Sequence, residues 1–417
     1  MTQTSSLDDA MLAQRFDDLW SGLAAIGRSP SGATERLAWT VQDRQARDWF
    51  VAAASTRDMP VETDANGNLW AWWPGRAQRA VATGSHLDTV PGGGAWDGAL
   101  GVVSAFAAID VLRSRGMHPP RPIAVVAWAE EEGARFGLAT LGSRLTTGAV
   151  DPSVLAARTD PSGVRFEDAV RSLGIDGSAM GPDLDRVRGL EAYVELHIEQ
   201  GRALGPLGQP LGLASGIDPH GRWHVAIDGR PDHAGTARLA DRHDPMLVLA
   251  ALVRAARRVA AAMAGVATVG RVFVTPNGSN VVPGSVEAWL DVRATSEPTV
   301  RAILDGVRRA TQRAARSEGV TTAFAQESWT PAISFDPALR ERIGGVLRGQ
   351  GVVAPTLSTA AGHDAGSLAT HVPTAMMFVR NPTGVSHAPG EGATIDDALT
   401  GVRALAAVLA DLATTGV

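Results

Sequence analysis

The sequence contains no cysteine, and all 38 of its lysine-plus-arginine residues are arginines. The lack of cysteine excludes disulfides, thiolate nucleophiles and thiolate metal ligands, so any metal site must use histidine, aspartate and glutamate. The lack of lysine excludes P-loop NTPases, which need a lysine on the phosphates, and pyridoxal enzymes, which need one for the Schiff base. A G-x-S-x-G elbow and a complete G-x-G-x-x-G fingerprint are also missing, which argues against serine hydrolases and dinucleotide-binding proteins.

The charge and hydropathy of the sequence argue against nucleic-acid and membrane partners. The net charge of −6 provides no general attraction to nucleic acid, and the arginines are scattered along the chain. The sequence has no apolar run of about 18 residues, and its first residues include acids but no basic and apolar leader pattern. We therefore expect a cytoplasmic protein with a small-molecule partner and neither a nucleic-acid nor a membrane partner.

The first part of the chain has an α/β pattern. Apolar residues recur at helical spacing over residues 8–26 and 34–54, and "VETDANGNLWAWWPG" predicts two strands around an Asn66-Gly67 turn. The strand "AVATGSH", a helix over 98–115, the strand "PIAVVAWAEEE" and a helix over 137–148 then form a β-α-β unit with parallel strands. Sites in such sheets lie beyond the carboxyl ends of the strands.

A different order of elements follows "YVELHIEQG". Strands alternate with helices over residues 244–263 and 297–317 in a compact α+β block of about 115 residues, after which the α/β pattern resumes and ends in a helix over 394–414. The block therefore looks like an insertion into an α/β domain.

These patterns predict two domains in a chain of 417 residues. Residues 1–214 and 331–417 form an α/β domain, and residues 215–330 form the inserted α+β domain. The best linker candidates lie at 212–216 and 330–333.

Several potential metal ligands follow the predicted strands. A lone histidine at a strand end is more often structural, by roughly three to one, and Asp-Gly alone is a turn signal. Together, however, the residues form a complete set, because two adjacent cations need a bridging carboxylate and each needs further imidazole or carboxylate ligands. The candidates are His86 with Asp88, Asp97, the triplet Glu130, Glu131 and Glu132, His197 and His387.

The local sequence assigns some of these residues a function. Asp88 lies two residues after His86 on the same strand face, so we expect its side chain to hold the second imidazole nitrogen. Glu131 and Glu132 are adjacent and point in different directions, so one can bind metal while the other acts as general base. The three glycines at 92–94 allow the loop to return Asp97 to His86.

The same residues carry a resemblance to a known family. "GSHLDTVPGGGAWDGALG", "EEEGARFG", "ELHIEQG", "DGRPDHAGT", "GSNVVPG", "GHDAGSLA" and "GVSHAPGE" occur in the order typical of the hydantoinase/carbamoylase amidases, part of the aminoacylase/carboxypeptidase di-zinc superfamily. The match spans residues 83–391. Because the family includes N-carbamoyl-L-amino acid hydrolases, β-ureidopropionases and allantoate amidohydrolases, the resemblance is less specific for the substrate.

The resemblance implies a metal-dependent catalytic domain with a mixed, largely parallel sheet, interrupted by a lid and dimerisation domain. It also implies two divalent ions, for which Zn, Mn, Co and Ni are all suitable. Glu131 would be the general base and Asp88 a catalytic support. The implied ligands are His86 and His197 for one metal, Glu132 and His387 for the other, and Asp97 as the bridge.

Four further residues are implied to contact the substrate. His233 of the inserted domain would assist the oxyanion, Asn280 and Arg293 would bind the carboxylate end, and Gln200 would lie at the carbamoyl side. Family relatives pair one edge of the inserted domain with a second copy, so that its histidine reaches the neighbour's metals. We therefore expect a homodimer.

The expected reaction is hydrolysis of a C–N bond in an N-carbamoyl-L-amino acid or related ureido acid, with release of ammonia and carbon dioxide. An N-acyl amino acid amidase or dipeptidase with the same metal chemistry is the alternative. A non-catalytic binding protein is disfavoured, because it would not need Glu131. Among the other histidines, His363 in "GHDAG" is expected either to support the site or to cap a helix.

Overall fold

The computed structural model describes residues 8–417. The helices are α1 Asp9–Ala24, α2 Val41–Ser55, α3 Ala99–Ser114, α4 Leu141–Thr146, α5 Phe166–Arg171, α6 Leu184–Arg188, α7 Leu204–Leu207, α8 Pro245–Ala262, α9 Glu297–Glu318, α10 Pro337–Gly349, α11 Asp364–Leu368 and α12 Ile395–Thr415. The strands are β1 Val61–Thr63, β2 Leu69–Trp73, β3 Ala80–His86, β4 Ile123–Trp128, β5 Leu190–Ile198, β6 Leu211–Ile217, β7 His220–Asp228, β8 Asp232–His233, β9 Val266–Thr275, β10 Val281–Val282, β11 Ser285–Arg293, β12 Thr321–Thr330, β13 Ile333–Ser334, β14 Thr356–Thr359 and β15 Thr374–Val379.

The chain divides into two units. Unit 1 runs up to Gly216 and resumes over Ser334–Val417, and unit 2 is Ile217–Ile333. The first boundary, between Gly216 and Ile217, falls at the end of the expected linker at 212–216, but these residues form part of β6, a strand of the unit 1 sheet, and not a loop. Its small residues pack closely there: a methyl group on Gly212 would lie 3.1 Å from the Leu204 and Leu357 side chains.

Unit 1 is built on a nine-stranded mixed sheet. The strand order is β1-β2-β4-β3-β5-β15-β6-β13, with β14 paired to β6. The strands β4, β3, β5 and β15 run parallel, whereas β1 pairs antiparallel to β2, β2 to β4, and β6 to β15. The carboxyl ends of β3, β4 and β5 therefore meet at one edge of the sheet.

One hydrophobic cluster combines apolar residues of the sheet strands with the buried faces of α1, α3 and α12. A separate cluster includes Trp39, Phe136 and Phe166. By length and composition α12 is the one helix within residues 8–417 that could cross a membrane, but 61% of its apolar window is buried in the protein. Its apolar character fits a core position.

Two helices are shorter than their apolar spacing predicts. The helix expected over 34–54 begins at Val41, because the Thr40 side chain caps it by accepting from the Asp43 backbone N–H. The helix expected over 137–148 is limited to Leu141–Thr146, because Thr140 has a left-handed backbone with φ 51°. The apolar spacing continued past the first break because residues 34–40 are mostly buried, whereas residues 137–139 before α4 are exposed or half-buried.

Unit 2 contains a four-stranded antiparallel sheet in the order β12-β7-β11-β9 and a short β10-β8 ladder. The helices α8 and α9 cover one face and bury alternate residues of β7 and β11, including Val225 and Leu290. Buried and more exposed residues alternate along β7 and β11, and both strands are interior, so the edges are β9 and β12.

Candidate metal centre

The predicted ligands come together at the carboxyl edge of the unit 1 sheet. His86 is the last residue of β3, and His197 lies next to the end of β5. Glu131 and Glu132 follow β4, which ends at Trp128. Because β4, β3 and β5 are parallel neighbours, their ends bring these side chains to one place.

A first group able to hold a metal consists of His86, Asp97 and His197, all buried. Oδ1 of Asp97 lies 3.4 Å from Nε2 of His86 and 3.1 Å from Nε2 of His197. Within residues 8–417, the buried Nε2 of His86 has no hydrogen-bond partner. A cation between these atoms would satisfy this nitrogen.

A second group consists of Asp97, Glu132 and His387. Nε2 of His387 lies 3.5 Å from Oδ2 of Asp97 and 3.5 Å from Oε2 of Glu132. Each carboxylate oxygen of Asp97 thus faces a different group. The imidazole and carboxylate donors fit two divalent ions sharing Asp97.

Close approach at Gly98 brings the loop and the strand together. Gly98 has φ +67°, and a Cβ atom there would overlap the His86 ring. A glycine therefore satisfies both the backbone conformation and the contact between Asp97 and His86.

The second nitrogen of each sheet histidine meets a backbone carbonyl. Nδ1 of His86 lies 3.0 Å from the Asp88 carbonyl oxygen, and Nδ1 of His197 lies 2.8 Å from that of Ile198. Such contacts fix the ring and would direct Nε2 to a bound metal. The prediction that the Asp88 carboxylate holds His86 is therefore corrected: that carboxylate lies 3.7 Å away, because β3 ends at His86 and strand alternation no longer applies.

The Asp88 carboxylate instead orders the glutamate loop. It accepts the backbone N–H of Glu131 on Oδ1 and that of Glu132 on Oδ2, both at 3.1 Å. Asp88 thus connects the end of β3 to the loop after β4 and fixes the start of both glutamate side chains.

Glu131 and Glu132 have different surroundings. Oε2 of Glu131 lies 3.6 Å from Nε2 of His86, whereas Glu132 faces His387. Burial raises the pKa of Glu131 well above its usual range. Burial and then Asp97 raise the pKa of Glu132 to about 7.

The histidines and Asp97 stabilise each other's charged forms. Burial alone would raise the pKa of Asp97, but His197, His387 and His86 hold it well below its usual range. Burial opposes protonation of His86, yet the carboxylates of Glu131, Asp97 and Asp88 raise the pKa of this imidazole well above its usual value. The carboxylates thus provide the negative charge that bound cations would neutralise.

Comparison with known proteins assigns this arrangement to a family. Residues 82–411 match the model of peptidase family M20/M25/M40. The chain belongs to this family. It is 34% identical to an N-carbamoyl-L-amino acid amidohydrolase from Geobacillus stearothermophilus, over 92% of this chain and 94% of the relative. It is 31% identical to an allantoate amidohydrolase from Escherichia coli, over 96% and 98%.

A solved structure supports the same assignment. A hydantoinase/carbamoylase family amidase from Burkholderia multivorans superposes with a TM-score of 0.85 at 30% identity, covering 97% of this chain and 98% of that one. The predicted family and the α/β fold class with an inserted domain are confirmed. The M20 chain is thus a hydrolase, which excludes the non-catalytic alternative.

Gln200 lies beside the second group of the M20 site. Its Nε2 donates to Oδ2 of Asp97 at 2.7 Å and lies 3.4 Å from Nε2 of His387. Its buried Oε1 has no partner in the described part of the chain. This oxygen is therefore a buried acceptor without a donor beside the second group.

Glu391 was missed as a site residue, although it ends the motif "SHAPGE". Its Oε1 accepts the backbone N–H groups of Trp96 at 3.1 Å and Asp97 at 2.8 Å, and its Oε2 accepts that of His387 at 3.2 Å. One carboxylate therefore contacts the loops of two candidate metal ligands, Asp97 and His387. Its spacing of four residues from His387 was the available signal.

A polar layer behind His197 was also missed. Glu195 accepts from Ser85 Oγ at 2.8 Å and from the Ala365 backbone N–H at 2.9 Å. The His363 ring packs edge-on against His197, with centroids 4.5 Å apart, and makes no side-chain cap bond to α11. His363 is thus both the N-cap residue of α11 and a ring contact of His197, and its expected function stays a prediction.

In unit 2, His233 and Asn280 are neighbours. His233 pairs with Val281 across the β8-β10 ladder, and the Asn280 carbonyl accepts the Ala234 N–H at 3.0 Å. Nδ1 of His233 accepts the N–H groups of Gly235 at 3.0 Å and Thr236 at 3.1 Å. These contacts assign the proton of a neutral ring to Nε2.

Arg293 does not join this pair within unit 2. It ends β11, whereas β10 precedes the first residue of β11, Ser285. From Ser285 to Arg293 the strand is about 26 Å long. The expected substrate-binding residues of unit 2 therefore lie at opposite ends of the sheet.

Proposed function

We propose that this M20 hydrolase cleaves the C–N bond of an N-carbamoyl-L-amino acid or related ureido acid, releasing ammonia and carbon dioxide. The observation that carries the proposal is the pair of ligand groups sharing Asp97, with Glu131 beside them. The relatives named for N-carbamoyl-amino acids and for allantoate support this substrate group.

We assign His86 and His197 to one divalent ion, Glu132 and His387 to the other, and Asp97 to both. When bound, the ions would polarise the substrate carbonyl and make water more acidic. Zn, Mn, Co and Ni all fit the nitrogen and oxygen donors.

Two residues move or share protons in the proposed reaction. Glu131 accepts a proton from the attacking water and returns it to the leaving nitrogen. His233 donates its Nε2 proton to the developing oxyanion, as the two N–H groups on its Nδ1 allow.

We propose that Gln200 contacts the carbamoyl group and that Asn280 and Arg293 bind the substrate carboxylate. The guanidinium of Arg293 offers two parallel hydrogen bonds to that group, so Arg293→Lys should weaken substrate use markedly. Equal activity on substrates without a carboxylate would contradict this assignment.

We further propose a cytoplasmic homodimer in which two chains complete each site. A substrate of amino-acid size is much shorter than the strand between Arg293 and the His233 end of the sheet. Arg293 from one copy and His233 with Asn280 from the other could contact one substrate.

A substrate panel tests the function. Ammonia release is measured with N-carbamoyl-L-amino acids, N-carbamoyl-β-alanine and allantoate, and amine release with N-acetyl amino acids and dipeptides. Turnover of a carbamoyl or ureido acid supports the proposal. Turnover confined to N-acyl amino acids or dipeptides would instead identify an amidase or dipeptidase with the same metal chemistry.

Metal dependence is tested separately. Chelation should abolish activity, and added divalent ion should restore it, because both the polarised carbonyl and the acidic water depend on metal. A metal-free protein, verified by elemental analysis, with an unchanged rate would show that the two ligand groups have no catalytic function.

A further inference from the structure

A charged cluster surrounds Arg293 on the face of the unit 2 sheet that α8 and α9 leave open. These helices bury Leu290 and Val292 on the other face of β11. Strand alternation therefore places Asp291 and Arg293 together on the open face.

The Asp291 carboxylate accepts two hydrogen bonds from one edge of the Arg293 guanidinium. Nε of Arg293 donates to Oδ1 of Asp291 at 2.8 Å, and Nη2 donates to Oδ2 at 3.3 Å. Both side chains are partly exposed, at 33% for Arg293 and 22% for Asp291. The pair is accessible to a ligand without unfolding of the sheet.

Asp291 and Arg293 lie on an interior strand that is hydrogen-bonded on both sides. β11 pairs along its length with β7 and β9, so the spacing between Asp291 and Arg293 is set by an interior strand. Arg222 lies opposite Asp291 on β7, but its Nη2 is 3.7 Å from Oδ2. Asp291 therefore interacts more closely with Arg293 than with Arg222.

An arginine that must meet a planar carboxylate gains from being ordered in advance. Its side chain has many rotamers, and fixing them when the ligand arrives weakens binding. Because the Asp291 carboxylate already binds Nε and Nη2, Arg293 has less rotamer freedom to lose when the ligand binds.

We propose that Asp291 is a positioning residue, which orients the Arg293 guanidinium for the substrate carboxylate. This inference rests on the proposed carboxylate-binding function of Arg293. It predicts that Asp291 acts on substrate binding and only on substrates that carry the carboxylate.

Asp291→Asn tests the inference in the full-length metal-loaded enzyme. Its substrates are the best N-carbamoyl-L-amino acid of the panel and the corresponding amide, which lacks the carboxylate. For the acid, KM should rise about two- to tenfold with little change in kcat, the effect of disordering one rotamer-rich side chain. For the amide, kcat/KM should stay unchanged, and Asp291→Glu should recover part of the loss.

Glu287→Gln is the matched control, because Glu287 lies on the same face of β11 and pairs instead with His224, at 4.0 Å. It should leave both substrates unaffected. Equal losses on acid and amide in Asp291→Asn, an unchanged KM for the acid, or the same effect in Glu287→Gln would each overturn the inference.

Arg293→Gln separates this inference from the proposed function. If Arg293→Gln leaves KM for the acid unchanged, the carboxylate-binding function of Arg293 fails, and the inference fails with it. If it raises KM but Asp291→Asn does not, only the positioning function fails. Adding Asp291→Asn to Arg293→Gln should cause no further rise, because the group that Asp291 orients is already gone.

Discussion

Glu131 and Glu132 are adjacent residues with different surroundings and different proposed functions. Glu131→Gln keeps the shape of the side chain but removes the proton acceptor, so kcat should fall by about two orders of magnitude or more while both metals remain bound. Steady-state kinetics and elemental analysis of the same preparation measure the two effects.

Glu130 provides the control for this prediction. Its Oε1 accepts the Arg135 and Phe136 N–H groups and belongs to neither ligand group, so Glu130→Gln should retain metal and most of the activity. Loss of metal from Glu131→Gln would show that the functions of Glu131 and Glu132 are exchanged.

Glu391 should act on metal retention through its three backbone contacts. Glu391→Gln replaces one acceptor oxygen with an N–H donor and leaves at least one loop N–H unpaired. Loss of such support typically weakens metal binding by about 10- to 100-fold. Competition with a chromophoric chelator measures this, with Glu35→Gln as an exposed control, and unchanged affinity would reduce Glu391 to a loop-stabilising residue.

For single residues, the sequence predicted which side chains belong to the candidate site better than it predicted their hydrogen-bond partners. Motif order placed His86, Asp97 and His387 together because their chemistry requires specific side chains. The functions of Asp88 and Glu391 depend on where a strand stops and which backbone N–H groups turn towards a carboxylate. The order of amino acids along the chain does not show where the strand stops or which way these N–H groups point.

Among the elements, the start of β5 is tied to the residue before β3 by an ion pair. Nε of Arg79 donates to Oε2 of Glu191 at 2.7 Å, and Nη2 donates to Oε1 at 2.8 Å. Arg79, more than any other group, lowers the pKa of Glu191 to about 2. This contribution to stability is present above the ordinary glutamate pKa and is lost as the pH falls towards 2.

Glu191→Gln should therefore lower the melting temperature modestly at pH 7, and the difference from wild type should shrink between about pH 4.5 and 2. Thermal unfolding of metal-free protein across this range measures it, because the assigned ligands are protonated at low pH and would release metal. Glu35→Gln should show no such trend, since Glu35 forms no ion pair within residues 8–417. A difference that grows on acidification would refute the assigned stabilisation.

Helices and strands could be predicted where the apolar residues follow a single pattern along the sequence. β3 follows from a buried apolar run, and α3 and α8 were expected close to their observed bounds. The strand order β4-β3-β5-β15 was not, because hydrogen-bond partners far apart in sequence leave no trace in periodicity. The alternation in β7 and β11 showed that one face is covered, but not that both strands are interior.

For the whole molecule, the proposed homodimer raises the question of which chain would supply each unit 2 residue. His233 and Asn280 are neighbours, while Arg293 lies at the other end of the sheet. The edge strand β9 exposes Val266, Val272 and Phe273. An exposed apolar edge of this kind can pair with a second copy about a twofold axis.

Mixing two inactive variants tests the exchange of His233 between chains. His233→Ala and Glu131→Gln subunits should each be nearly inactive alone. If His233 acts on its partner's metals, a mixed dimer contains one intact site, because the chain with Glu131 receives His233 from the other. Half of randomly exchanged dimers are mixed and each has one working site of two, so activity should return to about a quarter of wild type.

Recovery is followed by ammonia release, with mixed dimers counted through a tag on one variant. No recovery in the presence of mixed dimers would show that each chain uses its own His233, and failure to form any dimer would remove the second chain from the site.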